Sequence, residues 1–462
     1  MFSHSLTSGC HYLPRPPAVR GWMGEYSGPQ AARPARIRLH EGGDPLFSPR
    51  LPVYWSLPMT TMTLSRRGQE APASPIRALA SLARQAQDSG TTVHYMNIGQ
   101  PDIETPRGMI EAIQQFDAKV LAYAPSDGFV EYREALASKY YSDVVEDQPP
   151  ITQDDIVITV GGSEALLFAM AAVTDPGDEI IVCEPYYTNY SGYAHMLGID
   201  IAPVTSRPDD GYRIDPAKIE AGITGKTRAL ILPNPGNPTG LVLAKEELEA
   251  LVRICQKHGL FFIADEVYRE FVYNAPAGSL APSLLAIPGA EDLGIVIDST
   301  SKRYSACGAR MGWLVTRNRE VRRAALHFGQ ARLSPGTVAQ VAGMAALDTP
   351  KDYFIKVVEE YKARRDTLVS GLKRIGIDVV VPEGAFYLAV PLPVEDAEDF
   401  AQWLVRDFRL DGETLCMAPL AGFYSSPEMG RSEVRLAYVL EQNIIERCIN
   451  ILEAGLKAYH DR

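Results

Sequence analysis

From about residue 105 to 345 the chain alternates short, unbroken apolar runs with stretches whose apolar residues recur at helical spacing. The runs cover residues 156–160, 180–183, 229–232, 261–264 and 295–297. None alternates apolar with polar positions, which is the pattern of strands covered on both faces. Helical patterns such as 164–173 and 245–257 lie between them. This order predicts a parallel sheet sandwiched by helices. Such sheets bind ligands beyond the carboxyl ends of their strands. The residues with chemical potential fall there: Gly161 and Glu184 after the first two runs, then Asn234, Asp265 and Ser299.

Beyond residue 350 the pattern changes. A helical stretch over 353–375 repeats Phe354, Val357, Val358 and Tyr361 at helical spacing, and strand-like pieces follow at 378–381, 385–389 and 433–436. A closing helix is expected over 444–459. Residues 1–58 differ again, with no lysine, six arginines, three acids and nine prolines, and no sustained period. Such a segment buries too little apolar area to offset its ordering entropy, so disorder is expected. Its arginines suit a transit peptide, but Glu25, Glu41 and Asp44 and the lack of an amphipathic helix speak against one. A start of translation at Met59 or Met62 is the simpler expectation, and residues 1–62 are set apart from the folded body. The formal charge of −12 argues against a general nucleic-acid binder. The six cysteines are scattered without CxxC or metal-ligand spacing, so reduced thiols in the cytoplasm are expected, with no metal. No stretch approaches the roughly 18 apolar residues of a membrane span.

Lys302 closes the string Asp298-Ser299-Thr300-Ser301-Lys302 just after the 295–297 run, and Arg310 follows eight residues on. An amine at the mouth of a buried strand, flanked by hydroxyls and a fixed cation, suits imine formation beside a phosphate. Lysine serves because its pKa moves readily on desolvation or near another cation. Taken alone, a lysine after a strand is more often a solvated loop residue. Asp265 ends the apolar string Leu260-Phe261-Phe262-Ile263-Ala264, where a carboxylate is costly unless it is paired; capping the next helix is the plainer role for it. Gly161-Gly162-Ser163-Glu164 follows a strand and opens a helix, where backbone N–H groups and the helix dipole hold an anion. It does not match GxGxxG, so it gives no support to dinucleotide binding.

Three strings in order, Asn234-Pro235-Gly236-Asn237-Pro238-Thr239-Gly240, Ala264-Asp265-Glu266-Val267-Tyr268 and the Lys302 string, resemble the class I/II pyridoxal phosphate (PLP) aminotransferases of the aspartate aminotransferase-like kind. The resemblance runs from about Arg66 to the C-terminus. It implies PLP fold type I: an α/β large domain over 105–345, with a mostly parallel central sheet flanked by helices, and a smaller α+β domain over 346–462. Residues 63–104 would join the small domain. Lys302 would form the aldimine with PLP and, with Asp265 and Tyr268, make the catalytic set. Asp265 would hold the pyridine nitrogen protonated, and Tyr268 and Asn237 would bond the cofactor's 3′-oxygen. Gly162, Ser163, Glu164, Ser299, Ser301 and Arg310 would form the phosphate cup. Tyr187 would stack on the ring, with Tyr186 and Tyr190 as rivals. Tyr123 would reach the phosphate of a neighbouring subunit, which makes the enzyme a homodimer.

Substrate recognition follows from the same resemblance. Arg435, in Ser432-Glu433-Val434-Arg435-Leu436, matches the family's carboxylate-binding arginine, although an ion pair with Glu433 is the plainer reading. Gly99, in Asn97-Ile98-Gly99-Gln100-Pro101-Asp102, would close over the substrate together with Asn237, and Phe386 would line the same pocket or belong to the core. The implied reaction moves an amino group from an L-amino acid to a 2-oxo acid in a ping-pong cycle. A PLP-dependent carbon–sulfur β-lyase is the nearest alternative, and a PLP-binding regulator without turnover a more distant one. For the distal carboxylate of an acidic substrate only Arg332 and Arg77 stand out, so the substrate is not expected to be confined to dicarboxylates.

Overall fold

The computed structural model describes residues 62–145, 148–276 and 278–462. The expectations for residues 1–61, the alternative starts included, lie outside the described residues. In chain order the strands are β1 (Thr92–Tyr95), β2 (Ile156–Thr159), β3 (Glu179–Glu184), β4 (Asp200–Thr205), β5 (Thr227–Pro233) and β6 (Phe261–Asp265). They continue with β7 (Gly294–Ser299), β8 (Gly312–Val315), β9 (Tyr387–Pro391), β10 (Glu413–Cys416), β11 (Ala418–Pro419) and β12 (Glu433–Ala437). Seven of them form one sheet in the order β2-β8-β7-β6-β5-β3-β4.

Within that sheet only β8 runs against its neighbours: it pairs antiparallel with both β2 and β7, and the remaining pairs are parallel. Strands β2, β5, β6, β3 and β7 therefore point their carboxyl ends the same way. That common edge collects the segments after each of the five apolar runs. Every residue of β2, β7 and β8 is buried, because helices cover both faces. Ile158, Ile297 and Leu314 are fully buried, and each contributes about 1.5–3 kcal/mol over an exposed position. Strand β4 escaped the apolar pattern for a physical reason. It is the sheet edge, half-covered and interrupted by Pro203, a residue that edges tolerate because no N–H is needed on the open side.

The helix Gly161–Val173 runs from the end of β2 across β7 and β8. Its mean apolar character is high all round, as expected of a helix packed between sheet and outer helices. The C-terminal part builds a second, antiparallel sheet, β11-β12-β9, flanked by the 24-residue helix Lys351–Arg374 and the closing helix Gln442–His460. Strand β1 pairs in parallel with β10, and Leu79, Val93 and Met96 share one core with Leu388, Leu436 and Leu452. Two expectations here need correction. No strand forms over 378–381, and the strand expected from residue 385 begins at Tyr387. Ala385 has φ 54°, in the left-handed region that a strand cannot use.

Candidate active site

The carboxyl edge of the large sheet opens onto a cavity of about 530 Å³. Strand β7 delivers Ser299 to it, and the turn that follows brings in Ser301 and Lys302. Lys302 is half-buried, and its Nζ donates to the Gly99 carbonyl at 2.7 Å and lies 3.8 Å from Cys307 Sγ. The rings of Tyr268 and Phe386 sit 5.9 and 5.8 Å from the same nitrogen.

Strand β6 ends on Asp265, which is 5% exposed. Its Oδ2 accepts from the Tyr190 hydroxyl at 3.0 Å, while Oδ1 is buried with no hydrogen-bond partner among the described residues. Burial pushes this carboxyl up to about 6, against the pull of Tyr190 and the Val267 N–H. A buried acceptor left unmatched costs about 1–3 kcal/mol. Asp265 therefore presents an oxygen in want of a donor. Tyr268 shares a 2.9 Å hydroxyl contact with Tyr387, and burial raises its phenol well above the usual range.

Arg435, on β12, is 1% exposed and has no carboxylate partner among the described residues. Its Nη1 donates to Asn237 Oδ1 at 3.0 Å and its Nη2 to the Asn97 carbonyl at 2.7 Å, while the ring of Tyr387 lies 4.4 Å from the guanidinium. Burial lowers the Arg435 pKa, the expected response of a desolvated cation. Glu433, its plainer partner by sequence, accepts from Tyr424 instead, at 3.0 Å. A buried guanidinium served only by neutral acceptors is an anion site.

At the other end of the cavity the helix Gly161–Val173 points its first N–H groups inward, with Gly162 and Ser163 on the lining. Arg310 closes that end from an exposed, left-handed position with φ 51°. Gly161 has φ 73°, and a Cβ there would stand 2.5 Å from Arg310 Nη2, so only glycine lets the arginine fold over the helix start. Tyr187 and Tyr190 both line the cavity, Tyr190 with its hydroxyl on Asp265, and Tyr186 packs in the core against Tyr190. Of the three rivals, only Tyr187 and Tyr190 reach the cavity wall, and Tyr190 is engaged with Asp265.

The cavity thus gathers Gly99, Gly162, Ser163, Tyr187, Asn237 and Asp265 with Tyr268, Ser299, Ser301, Lys302, Arg310 and Arg435. Some expected residues lie elsewhere. The Glu164 side chain turns back to accept the Val160 N–H at 2.8 Å and pairs with Arg332 at 3.2 Å. Arg332 is thereby spent: it also donates to the Ser126 and Ile158 carbonyls and does not line the cavity. Phe386 is fully buried core, edge-on to Tyr268. Tyr123 is 80% exposed on a loop and does not line the cavity. Arg77, the other cation considered for a distal carboxylate, does line the cavity, exposed and without an ion pair among the described residues. Tyr387 and Cys307 went unforeseen. Tyr387 follows Phe386 in an apolar run, and nothing in the sequence around Cys307 marks it.

Comparison with known proteins agrees with this geometry. The family model described as Aminotransferase class I and II matches residues 91–437. The aspartate/prephenate aminotransferase of Thermus thermophilus is 33% identical over 393 residues, 84% of this chain and 97% of that protein. The structure of the Thermus thermophilus aspartate aminotransferase with maleate superposes with a TM-score of 0.76 at 29% identity, covering 85% of this chain and 100% of that one. The alanine aminotransferase of Pyrococcus furiosus gives a TM-score of 0.77 at 29% identity, with 86% and 100% covered. A buried acid and a half-buried lysine at the edge of the mostly parallel sheet, faced by a buried arginine from the antiparallel one, agree with what the comparisons find in this PLP fold type I protein: this chain belongs to the class I and II aminotransferases.

Proposed function

We propose that the chain moves the amino group of an L-amino acid to a 2-oxo acid in two half-reactions at this cavity, with pyridoxal 5′-phosphate carried on Lys302. The observation that carries this reading is the unmatched Asp265 Oδ1 in the same cavity as the Lys302 amine and the unpaired Arg435 guanidinium. The residues present fit the cofactor. Asp265 offers a buried acceptor for its ring nitrogen, Tyr187 a ring to pack on, and Asn237 and Tyr268 donors for its 3′-oxygen. Gly162, Ser163, Ser299, Ser301 and Arg310 offer N–H, hydroxyl and guanidinium donors for its phosphate. When bound, the cofactor supplies an aldehyde that takes up the amino group and a ring that spreads the electron pair left on the substrate's α-carbon.

The chain's own residues do the rest. Arg435 and Asn237 hold the α-carboxylate, which fixes the face that the α-carbon presents. Lys302 Nζ, freed when the substrate's amino group takes its place, would take the α-proton as general base and deliver it as general acid to the former aldehyde carbon, and would move a proton the reverse way in the second half-reaction. The Gly99 carbonyl, already 2.7 Å from that nitrogen, orients it between transfers. Tyr123, exposed beside Val120 and Leu121 at 75% and 66%, supports a homodimer in which it completes the phosphate cup of the other subunit. The relatives named above are all aminotransferases, which favours transfer over a carbon–sulfur lyase. No helix among the described residues is long and apolar enough to cross a membrane, and a cytoplasmic setting remains our reading from the scattered thiols.

The test is direct. Borohydride treatment of the PLP-loaded protein, followed by peptide mapping, is expected to leave the pyridoxyl label on Lys302. A label on any other lysine would sink the assignment. Half-reactions with a panel of amino acids, followed by the absorbance change of the bound cofactor, then identify the substrates.

A further inference from the structure

Behind the cavity wall lies a second charged cluster, none of whose members lines the cavity. Asp298 is fully buried and accepts from Arg303 Nη2 at 2.6 Å on Oδ1 and 2.5 Å on Oδ2. Arg303 Nη1 lies 3.0 Å from Glu270 Oε1. The Tyr140 hydroxyl stands 3.0 Å from Asp298 Oδ2 and 3.2 Å from Glu270 Oε1, and its ring centre is 4.0 Å from the Arg303 guanidinium. Arg269 approaches the same ring at 4.7 Å and Glu266 Oε2 at 3.8 Å. The side chains of Asp298, Arg303 and Glu270 are 0%, 1% and 8% exposed, so solvent does little to screen them.

The order of these residues along the chain is informative. Asp298 immediately precedes Ser299, and Arg303 immediately follows Lys302. Glu266 follows Asp265, and Arg269 and Glu270 follow Tyr268. Cavity and cluster residues are thus close neighbours in sequence: Ser299, Ser301 and Lys302 lie between Asp298 and Arg303, and Asp265, Val267 and Tyr268 lie among Glu266, Arg269 and Glu270. The Asp298–Arg303 pair therefore closes both ends of the turn that carries Ser299, Ser301 and Lys302. Glu270 then ties that turn to the segment carrying Asp265 and Tyr268. A buried ion pair adds little net stability, because desolvation offsets the attraction. What it does impose is one fixed geometry, since a guanidinium bridging two carboxylates tolerates few arrangements.

We propose that Asp298, Arg303 and Glu270, steadied by Tyr140, are positioning residues that set where the Lys302 amine stands relative to Asp265. This rests on the role given above to Lys302. They touch neither substrate nor cofactor and act through the backbone of the two active-site turns.

The test uses the full-length, PLP-loaded protein and three variants. Arg303→Lys keeps a charge but cannot bridge both carboxylates. The triple variant Glu270→Gln/Asp298→Asn/Arg303→Met removes the cluster without leaving a charge unpaired. Tyr140→Phe removes only one hydroxyl. Arg303→Lys and the triple variant are expected to lower kcat about tenfold to a hundredfold, the cost of a misplaced catalytic group. KM for the amino acid should change little, because Arg435 is untouched. The pH midpoint of the bound cofactor's absorbance should also move by about half a unit or more, as a changed charge environment at Lys302 requires. The titratable and charged groups that line the cavity with that amine include Asp265, Tyr268, Cys307, Arg310, Tyr387 and Arg435, and no variant alters them; because the Asp298 charge also acts on Asp265, Arg303→Lys and Tyr140→Phe, which keep both carboxylates, carry the positioning readout. Tyr140→Phe should move the midpoint in the same experiment with a smaller loss of kcat, and it decides the matter where a bolder variant does not fold. A merely structural cluster would lower the yield of active protein and leave the midpoint in place. An unmoved midpoint in every folded variant, with the wild-type label on Lys302, overturns this proposal alone. A wild-type label elsewhere overturns the function reading and this proposal with it.

Discussion

Asp265 is out of balance with its surroundings in the protein without cofactor. Its carboxyl is pushed up to about 6 from an ordinary value of 3.8, chiefly by burial. The folded state therefore holds a proton that the unfolded state has lost between roughly pH 4 and 6, and stability from this group falls as pH rises through that window. About two pKa units correspond to roughly 3 kcal/mol. Asp265→Asn is thus expected to raise the melting temperature of the cofactor-free protein at pH 8 and to leave it nearly unchanged at pH 4. Equal melting of the two proteins at pH 8 would show that the carboxylate is compensated. In the PLP-loaded protein the sign of the substitution reverses in function: turnover should fall at least about tenfold, since a charge-assisted contact is worth roughly 1.5–3 kcal/mol. Arg435 gives a complementary case. Arg435→Ala should weaken every amino acid together, seen as a common rise in KM across the panel.

Arg77 belongs to the same scale and sharpens the question of specificity. It is exposed at the cavity, so water already satisfies it when the substrate has no distal charge. Strong discrimination arises when a mismatched substrate leaves a buried polar group unpaired, and an exposed arginine sets no such penalty. Neutral and aromatic amino acids are therefore expected to react within a few tens-fold of aspartate, the range that about 1–3 kcal/mol of pocket fit allows. Arg77→Ala should slow acidic substrates and spare neutral ones. Arg332→Ala should not alter selectivity, because its partner is Glu164. A panel in which only acidic substrates react would overturn this expectation.

At the scale of elements, burial explains the strands that were legible, though fully buried β8 was not among them. The five apolar runs became β2, β3, β5, β6 and β7, since a strand covered on both faces leaves an uninterrupted apolar trace. Strand β4 at the edge and the two-residue β11 left no such trace, and β8 was hidden in the string after Arg310, which drew attention only for its charge. The cavity residues were legible where a motif and a strand end coincided, as at Asp265, Asn237 and Lys302. They were not where a contact depends on distant packing. Tyr190 meets Asp265 across 75 residues of sequence, and the Tyr268–Tyr387 contact spans 119. Glu164 shows the converse: its place in the helix start is local and was read correctly, but its side chain answers to Arg332, which only the fold reveals.

For the whole molecule the matching proteins set a scale. The Thermus thermophilus aspartate aminotransferase structure is covered in full by 85% of this chain, so the remaining part has no counterpart in it. The family match begins at residue 91, and Thr63–Arg462 forms one compact unit. The first 58 residues show nine prolines and no period from which a packed element follows. A protein beginning at Met62 is therefore expected to keep its yield, its PLP content and its kcat and KM within about twofold, the scatter of changes that touch no packed element. The comparison should be made on both chains purified alike, with cofactor content read by absorbance and association state by sedimentation. Retained activity with an unchanged association state would place all of the chemistry in the body from Thr63 onward. Loss of folding, or a changed association state, on removing the extension would instead show that this segment packs against the body, and the reading of it from composition alone would fall.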